Sequence, residues 1–346
     1  MRRFIRTIVR SIAVVLCLAA VAACEVPAPP PPAPVPFDGF SEQHPRWGAD
    51  PEGDPWSEIT TNFAGVKYAR FIIPPEACIE NVKQWVATTT RHRLVPVITP
   101  HRDAATRPSC GDGRPGYWSD IEGWTSELAA MGVTTWTTLN EPNHPDSYLE
   151  PGWLALQWSR QQRAVRTHCG ATCSLIVGEF ATPLSATYLR TVHEALSDVV
   201  WSNAINHPNE GWRYPERWSL HDYTDVTGTY DQPSNFAQLN RLQGHLDQVA
   251  SYMAASNQPY TPRIWLTEQA VLLSHDHSWT TVAGTHERQC AAARKFMQLR
   301  SQRLVERVFY YQWQGQQTPQ KWDSGLVDNT GWQRPAMAIF KGGGCT

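Results

Sequence analysis

The segment Thr134-Thr135-Trp136-Thr137-Thr138-Leu139-Asn140-Glu141-Pro142-Asn143 reads as a β-branched strand that stops on Asn-Glu-Pro. A second strand-like run, Arg263-Ile264-Trp265-Leu266-Thr267, leads into Glu268-Gln269. A carboxylate at the carboxyl end of a strand is where a parallel α/β barrel builds its chemistry. Two such glutamates, far apart in the chain, can face each other across one cleft. A pair of carboxyls at about 5–5.5 Å can break a glycosidic bond with retention: one arrives protonated and helps the leaving group, the other arrives ionised and attacks C1. Partial burial near Glu268 is expected to raise the pKa of Glu141. Each residue also has a plainer reading, Glu141 as a carboxylate ahead of the next helix and Glu268 as a buried ion-pair partner.

The elements that would position these groups alternate between strand-like and helix-like along residues 37–346. Strands are expected at Phe37–Ser41, Val66–Ile73, Leu94–Thr99, the Asn-Glu-Pro segment, Ser174–Val177, Arg217–Leu220, Arg263–Thr267 and Arg307–Tyr311, with Phe37–Ser41 the least defined. Helices are expected near Glu76–Thr90, Ile121–Met131, Trp153–His168, Ser185–Ser197, Ser234–Ser256, Thr285–Arg303 and Pro335–Lys341. Strands separated by helices argue for a parallel sheet. No Gly-rich phosphate loop follows an early strand, which disfavours a doubly wound nucleotide-binding sheet. The expected fold is therefore a single-domain α/β protein, a TIM (β/α)8 barrel. Polar residues gather where the strands end: Arg70, His101, Asn140, Glu141, Glu179, His221, Tyr223, Glu268 and Trp313. Glu179 reads equally as a subsite residue or a structural partner. Asp222 should face away from the mouth, because neighbours on a strand alternate faces.

In order and spacing, residues 37–341 resemble the clan A glycoside hydrolases, the (β/α)8 superfamily that includes families 5 and 39. The resemblance implies that Glu141 is the acid/base and Glu268 the nucleophile. It further implies that Asn140 hydrogen-bonds a sugar 2-OH, Arg70 supports the nucleophile and His101 lines a subsite. His221 and Tyr223 resemble a His-x-Tyr pair in which the Tyr hydrogen-bonds the nucleophile and the His orients the acid/base. Trp313 resembles a Trp that floors the sugar subsite. The implied substrate is a carbohydrate, with no cofactor and no metal. The competing expectation is a surface glycan-binding lipoprotein on the same barrel, without catalysis. A serine esterase is disfavoured, because the chain has no Gly-x-Ser-x-Gly elbow.

The remaining features set the context. The 346 residues are 41% apolar with a formal net charge of −2, so nothing pulls the chain toward nucleic acid. Arg2, Arg3, Arg6 and Arg10 precede an apolar run from Ile12 to Ala23 that is too short to span a bilayer. Val21-Ala22-Ala23-Cys24 resembles a lipobox, which would make residues 1–23 a lipoprotein-type signal peptide and Cys24 the acylated residue. An ordinary signal peptide cut nearby is the alternative. Residues 24–36 are a Pro-rich linker suited to an extended stalk. The expectation is an exported monomer at the cell surface, touching a membrane through a lipid anchor alone. Six further cysteines, Cys78, Cys110, Cys169, Cys173, Cys290 and Cys345, are expected in disulfides. Neighbourhood in sequence favours Cys78–Cys110, Cys169–Cys173 and Cys290–Cys345. A metal site on His168, Cys169 and Cys173 lacks a fourth ligand at useful spacing. Segments 102–118, 201–218 and 274–286, bearing Trp, Gly and Pro, are expected to set subsites, and 41–56 to decorate the same face.

Overall fold

The computed structural model describes residues 37–41, 55–104, 114–227, 236–270, 286–315, 324–328 and 330–344. The leader, Cys24, the Pro-rich linker, Cys110, Cys345, the segment 274–285 and most of 41–56 lie outside the described residues. Eight parallel strands close a barrel in chain order: β1 (Gly39–Ser41), β2 (Tyr68–Ile73), β3 (Val95–Pro100), β4 (Thr135–Thr137), β5 (Ser174–Ala181), β6 (Arg217–His221), β7 (Arg263–Gln269) and β8 (Val305–Tyr311). The helices are α1 (Pro55–Asn62), α2 (Ile79–Arg91), α3 (Ile121–Ala130), α4 (Pro151–Cys169), α5 (Ala186–Asn206), α6 (Tyr223–Thr227), α7 (Ala237–Ala255), α8 (His286–Leu299) and α9 (Pro335–Phe340).

Two expectations change. Pro55–Asn62, read partly as loop, is a helix that Pro55 opens and that buries Trp56 and Ile59 on one face. Residues 201–206 complete α5, and the rest of 201–218 leads into the amino end of β6. That connection runs from a helix to a strand, so it lies at the end of the barrel opposite the strand-end glutamates. It cannot set their subsites.

The main core lies between strands and helices. Trp56, Trp85, Trp136, Trp158 and Trp218 are fully buried there. Each such burial removes roughly 150–250 Å² from water, an upper bound of about 4–6 kcal/mol per residue. Inside the barrel, Val97, Ile176, Trp265 and Phe309 form a separate apolar cluster with Tyr68 packed against it. Gly39 closes this layer. A Cβ there would come within 2.7 Å of the Phe309 ring and 2.8 Å of Tyr68 Cβ. β1 pairs with both β2 and β8, so the missing side chain is what lets the ends of the barrel meet.

Candidate active site

Above the apolar layer the barrel interior turns polar. Ser41, Thr99, Thr137, Ser219 and Thr267 are buried, with hydroxyl contacts between Thr137 and Thr99 (2.8 Å) and between Ser219 and Thr267. Arg70 stands among them with no exposed surface. Its Nε donates to Glu179 Oε1 (2.7 Å) and Thr99 Oγ1 (3.1 Å). Its Nη1 donates to Glu268 Oε2 (3.0 Å) and Ser41, and its Nη2 to Asn140 Oδ1 (2.9 Å) and Glu179. Burial alone would lower the Arg70 pKa. The charges and hydrogen bonds of Glu179 and Glu268 overcome it, and the net shift is upward. The guanidinium is thus a fixed cation that donates to five other side chains.

Each glutamate reaches this centre through a break in strand regularity. On β5, Ile176 faces the barrel interior, and simple alternation would send Glu179 outward and Phe180 inward. The β5–β6 register shifts between Val177 and Phe180, where Gly178 adopts φ 56°. The bulge turns Glu179 onto Arg70 and Phe180 outward against Tyr188 and Trp218. On β7, Trp265 and Thr267 face inward, and a register shift between Leu266 and Gln269 brings Glu268 inward as well. Past β4, Asn140 faces Arg70, and Glu141 adopts φ 45°, a strained value for a residue with a Cβ. The Glu141 N–H donates to the Glu179 carbonyl (3.0 Å), which pins the bend to β5.

The two strand-end glutamates meet around His221. Its Nδ1 is 3.0 Å from Glu141 Oε1 and 3.6 Å from Glu268 Oε2. One oxygen of each glutamate and one nitrogen of His221 all lie within 4.8 Å of one another. Tyr223 Oη donates to Glu268 Oε1 (2.6 Å), so Glu268 is held at one oxygen by a hydroxyl and at the other by Arg70. Burial, followed by the charge of Glu268, raises the Tyr223 pKa, and the phenol stays a donor.

The expected upward shift of Glu141 is corrected. Burial is the largest influence and pushes it up, but the hydrogen bond and charge of His221, with the charges of His144 and Arg70, together outweigh it, and the net shift is downward. For His221 burial lowers the pKa, while Glu268 and Glu141 raise it further, and the net shift is upward. The proton of the pair therefore favours the ring. Glu141, His221 and Glu268 have a donor set that could hold a metal ion. The upward shift of His221 favours a proton on the ring, and a protonated ring nitrogen cannot ligate a metal.

The other expected residues are placed as follows. His101 is partly exposed beside β3. Its Nδ1 accepts from the Asp103 N–H (3.2 Å), and burial lowers its pKa despite nearby Asp103 and Glu141. Asp222 faces away from the cleft toward Asp225 on α6, whose Oδ2 accepts from Gln238 and Leu239 N–H at the start of α7. Trp313 departs from its expected place. Its indole packs edge-on against Phe40 and Phe63, and Nε1 donates to Glu58 Oε2 (3.1 Å) on α1. Tyr311 instead pairs in register with Ser41 on the inward side and lies edge-on to Tyr223. One residue, Gln312, separates them, but the chain leaves the strand after Tyr311, so alternation no longer predicts facing. The inward hydroxyls and the bulge that turns Glu179 were not read from the sequence, while Glu179 itself, expected at a strand end as a subsite residue or a structural partner, is found as a partner of Arg70. A Gly before Glu179 was the available signal for the bulge. Cys169 and Cys173 form a disulfide, which overturns the metal alternative, and His168 contacts Glu122 (2.8 Å). Cys78 and Cys290 are also disulfide-bonded.

No family model matches the sequence, and no curated protein matches it. Solved structures do. A family 39 β-xylosidase from Caulobacter crescentus aligns at TM-score 0.58 and 17% identity, covering 90% of this chain and 71% of that one. A family 17 β-1,3-glucanosyltransferase from Rhizomucor miehei aligns at 0.55 and 12%, covering 88% and 97%. A family 5 broad-specificity endoglucanase from Clostridium acetobutylicum aligns at 0.53 and 13%, covering 88% and 95%. The likeness is one of fold, a closed eight-strand parallel barrel. The alignments run over 88–90% of this chain, at identities where little sequence likeness survives.

Proposed function

We propose that this protein is a retaining glycoside hydrolase acting by double displacement, with Glu141 as acid/base and Glu268 as nucleophile. The observation that carries the reading is the approach of Glu141 and Glu268 oxygens within 4.8 Å, each held by its own partners. So short a gap suits direct attack on C1 and leaves little room for the water that an inverting pair admits at about 6.5–9.5 Å. Arg70 and Tyr223 hold Glu268 in an aimed, hydrogen-bonded form. Glu268 attacks C1 while Glu141 protonates the departing oxygen. Water activated by Glu141 then releases the sugar from Glu268. Asn140 Oδ1 accepts from Arg70 Nη2, which leaves its amide N–H groups for a sugar hydroxyl. Two carboxylates suffice for this route, with no cofactor.

The substrate class in this reading is a β-linked oligo- or polysaccharide, by likeness to the β-xylosidase and β-1,3-glucanosyltransferase barrels. The Arg-rich start, the apolar run, Cys24 and residues 25–36 support export with a lipid tether. The test is a glycan panel with product analysis, followed by a 2-deoxy-2-fluoro glycoside of the responsive sugar. Covalent label on Glu268 is expected, and Glu268→Ala should release no sugar above background. Glu141→Ala should lose roughly 10²–10⁴-fold with poor leaving groups, and azide should then yield a glycosyl azide of retained configuration. Sugar release by Glu268→Ala at the wild-type rate would refute the assignment. Glycan binding without turnover would favour the lipoprotein binder.

A further inference from the structure

His221 is fully buried and its two ring nitrogens have different surroundings. Nδ1 faces Glu141 and Glu268 at 3.0 and 3.6 Å. Nε2 has no hydrogen-bond partner among the described residues and lies 3.9 Å from Glu179 Oε2. A bare nitrogen lone pair aimed at a buried carboxylate oxygen is repelled, whereas an N–H is attracted. Glu179 is itself immobilised, because Arg70 grips both of its oxygens and Thr99 Oγ1 lies 3.2 Å from Oε1. The charged groups facing the ring are Glu141 from the end of β4, Glu179 from β5, Glu268 from β7 and Arg70 from β2. Three carboxyls against one guanidinium leave the pocket able to hold one more positive charge.

We propose that Glu179 is a positioning residue for the general acid: it fixes a proton on His221 Nε2, so that Nδ1 and Glu141 Oε1 share the proton given to the leaving group. This rests on the reading of Glu141 as the acid. As the glycosidic bond breaks, Glu141 Oε1 passes its proton to the departing oxygen. The Nδ1–H proton of the imidazolium supplies Glu141, and the ring ends neutral with Nε2–H intact. In the second step the water that attacks C1 returns one proton to the Glu141–His221 pair, which restores the starting state. Glu179 has no exposed surface on which a sugar could rest. It acts through the ring.

The test is a pH titration of the full chain with ¹⁵N-labelled histidine, comparing wild type with Glu179→Gln and Glu179→Asp. In wild type, His221 should stay an imidazolium to above its ordinary value near 6.5, and the neutral ring should be the Nε2–H tautomer. In Glu179→Gln the His221 midpoint should fall by about 1 pH unit or more. The amide N–H can then donate to a bare Nε2 and reverse the tautomer. Glu179→Asp keeps the charge and should restore the higher midpoint. An Nδ1–H tautomer in wild type overturns the proposal, as does an unmoved midpoint in Glu179→Gln. If Glu179→Gln does not fold, the wild-type tautomer alone decides. None of these readouts needs a substrate, so they stand apart from the success of the glycosidase reading. Where sugar is released, Glu179→Gln should lower the alkaline limb of kcat/KM with KM held within about twofold, as expected for lost acid function rather than lost binding. A loss of kcat with that limb unmoved would also overturn it.

Discussion

At the scale of single residues, the centre is organised by one buried guanidinium and one buried ring. Arg70 uses its planar set of donors on Glu179, Glu268, Asn140, Ser41 and Thr99, a pattern that Lys could not reproduce with a single ammonium. Tyr223 supplies the other hold on Glu268 at 2.6 Å. Hydrogen bonds to charged groups contribute about 1.5–3 kcal/mol. Tyr223→Phe should therefore lower kcat by roughly 10- to 100-fold with little change in KM, since the bond steadies the nucleophile rather than the sugar. Steady-state kinetics on the responsive glycan measures this, and a rise in KM at constant kcat would place Tyr223 in substrate binding instead.

At the scale of elements, bulges and helix starts decide which groups face the cleft. Asp222 and Asp225 illustrate the cost of one such arrangement. Burial, then the charge of Asp225, raises the Asp222 pKa well above its ordinary value. A carboxyl with a raised folded-state pKa contributes stability that is fully present below the unfolded pKa of about 3.9 and is lost as pH rises through the folded value. Asp222→Asn keeps the acceptor for the Asp225 N–H and offers Asp225 a permanent donor. The variant should match wild type near about pH 4 and gain on it as pH rises, by about 1.4 kcal/mol per pH unit within that window. Denaturant melts across pH read this directly. Parallel stability curves would show that Asp222 titrates alike in the folded and unfolded chain.

At the scale of the whole molecule, the barrel separates stability from chemistry along its axis. The apolar layer of Val97, Ile176, Trp265 and Phe309 fills its interior below, and Arg70 with its hydroxyl neighbours fills it above. Gly39 lies in the lower layer at the seam where β1 meets β8. Gly39→Ala pushes a methyl into Phe309 and the Tyr68 Cβ, a strain of about 1–3 kcal/mol. Its Tm should fall by several degrees while kcat of the folded protein holds. A kcat loss larger than the stability loss would mean that the seam also tunes the cleft.

Alternation of strand-like and helix-like segments was enough to predict the parallel barrel, because each strand carries its own apolar run and each helix its own apolar face. The strand-end positions of Glu141, Glu268, His221 and Tyr223 were legible because each follows or closes an apolar strand run, though breaks in regularity turn the two glutamates inward. The helix at Pro55–Asn62 was half hidden by the Gly- and Pro-rich residues before it. What the tertiary structure alone decided depends on departures from period. A bulge at Gly178 made Glu179 an inward carboxyl, and the turn after Tyr311 sent Trp313 to α1 rather than to the cleft. The direction of the Glu141 pKa was likewise set by a ring from another strand, 3.0 Å away in space and eighty residues away in sequence. Periodicity lies within a segment and can be read from it. Facing, charge balance and proton placement arise between segments, and they take their values when the barrel closes.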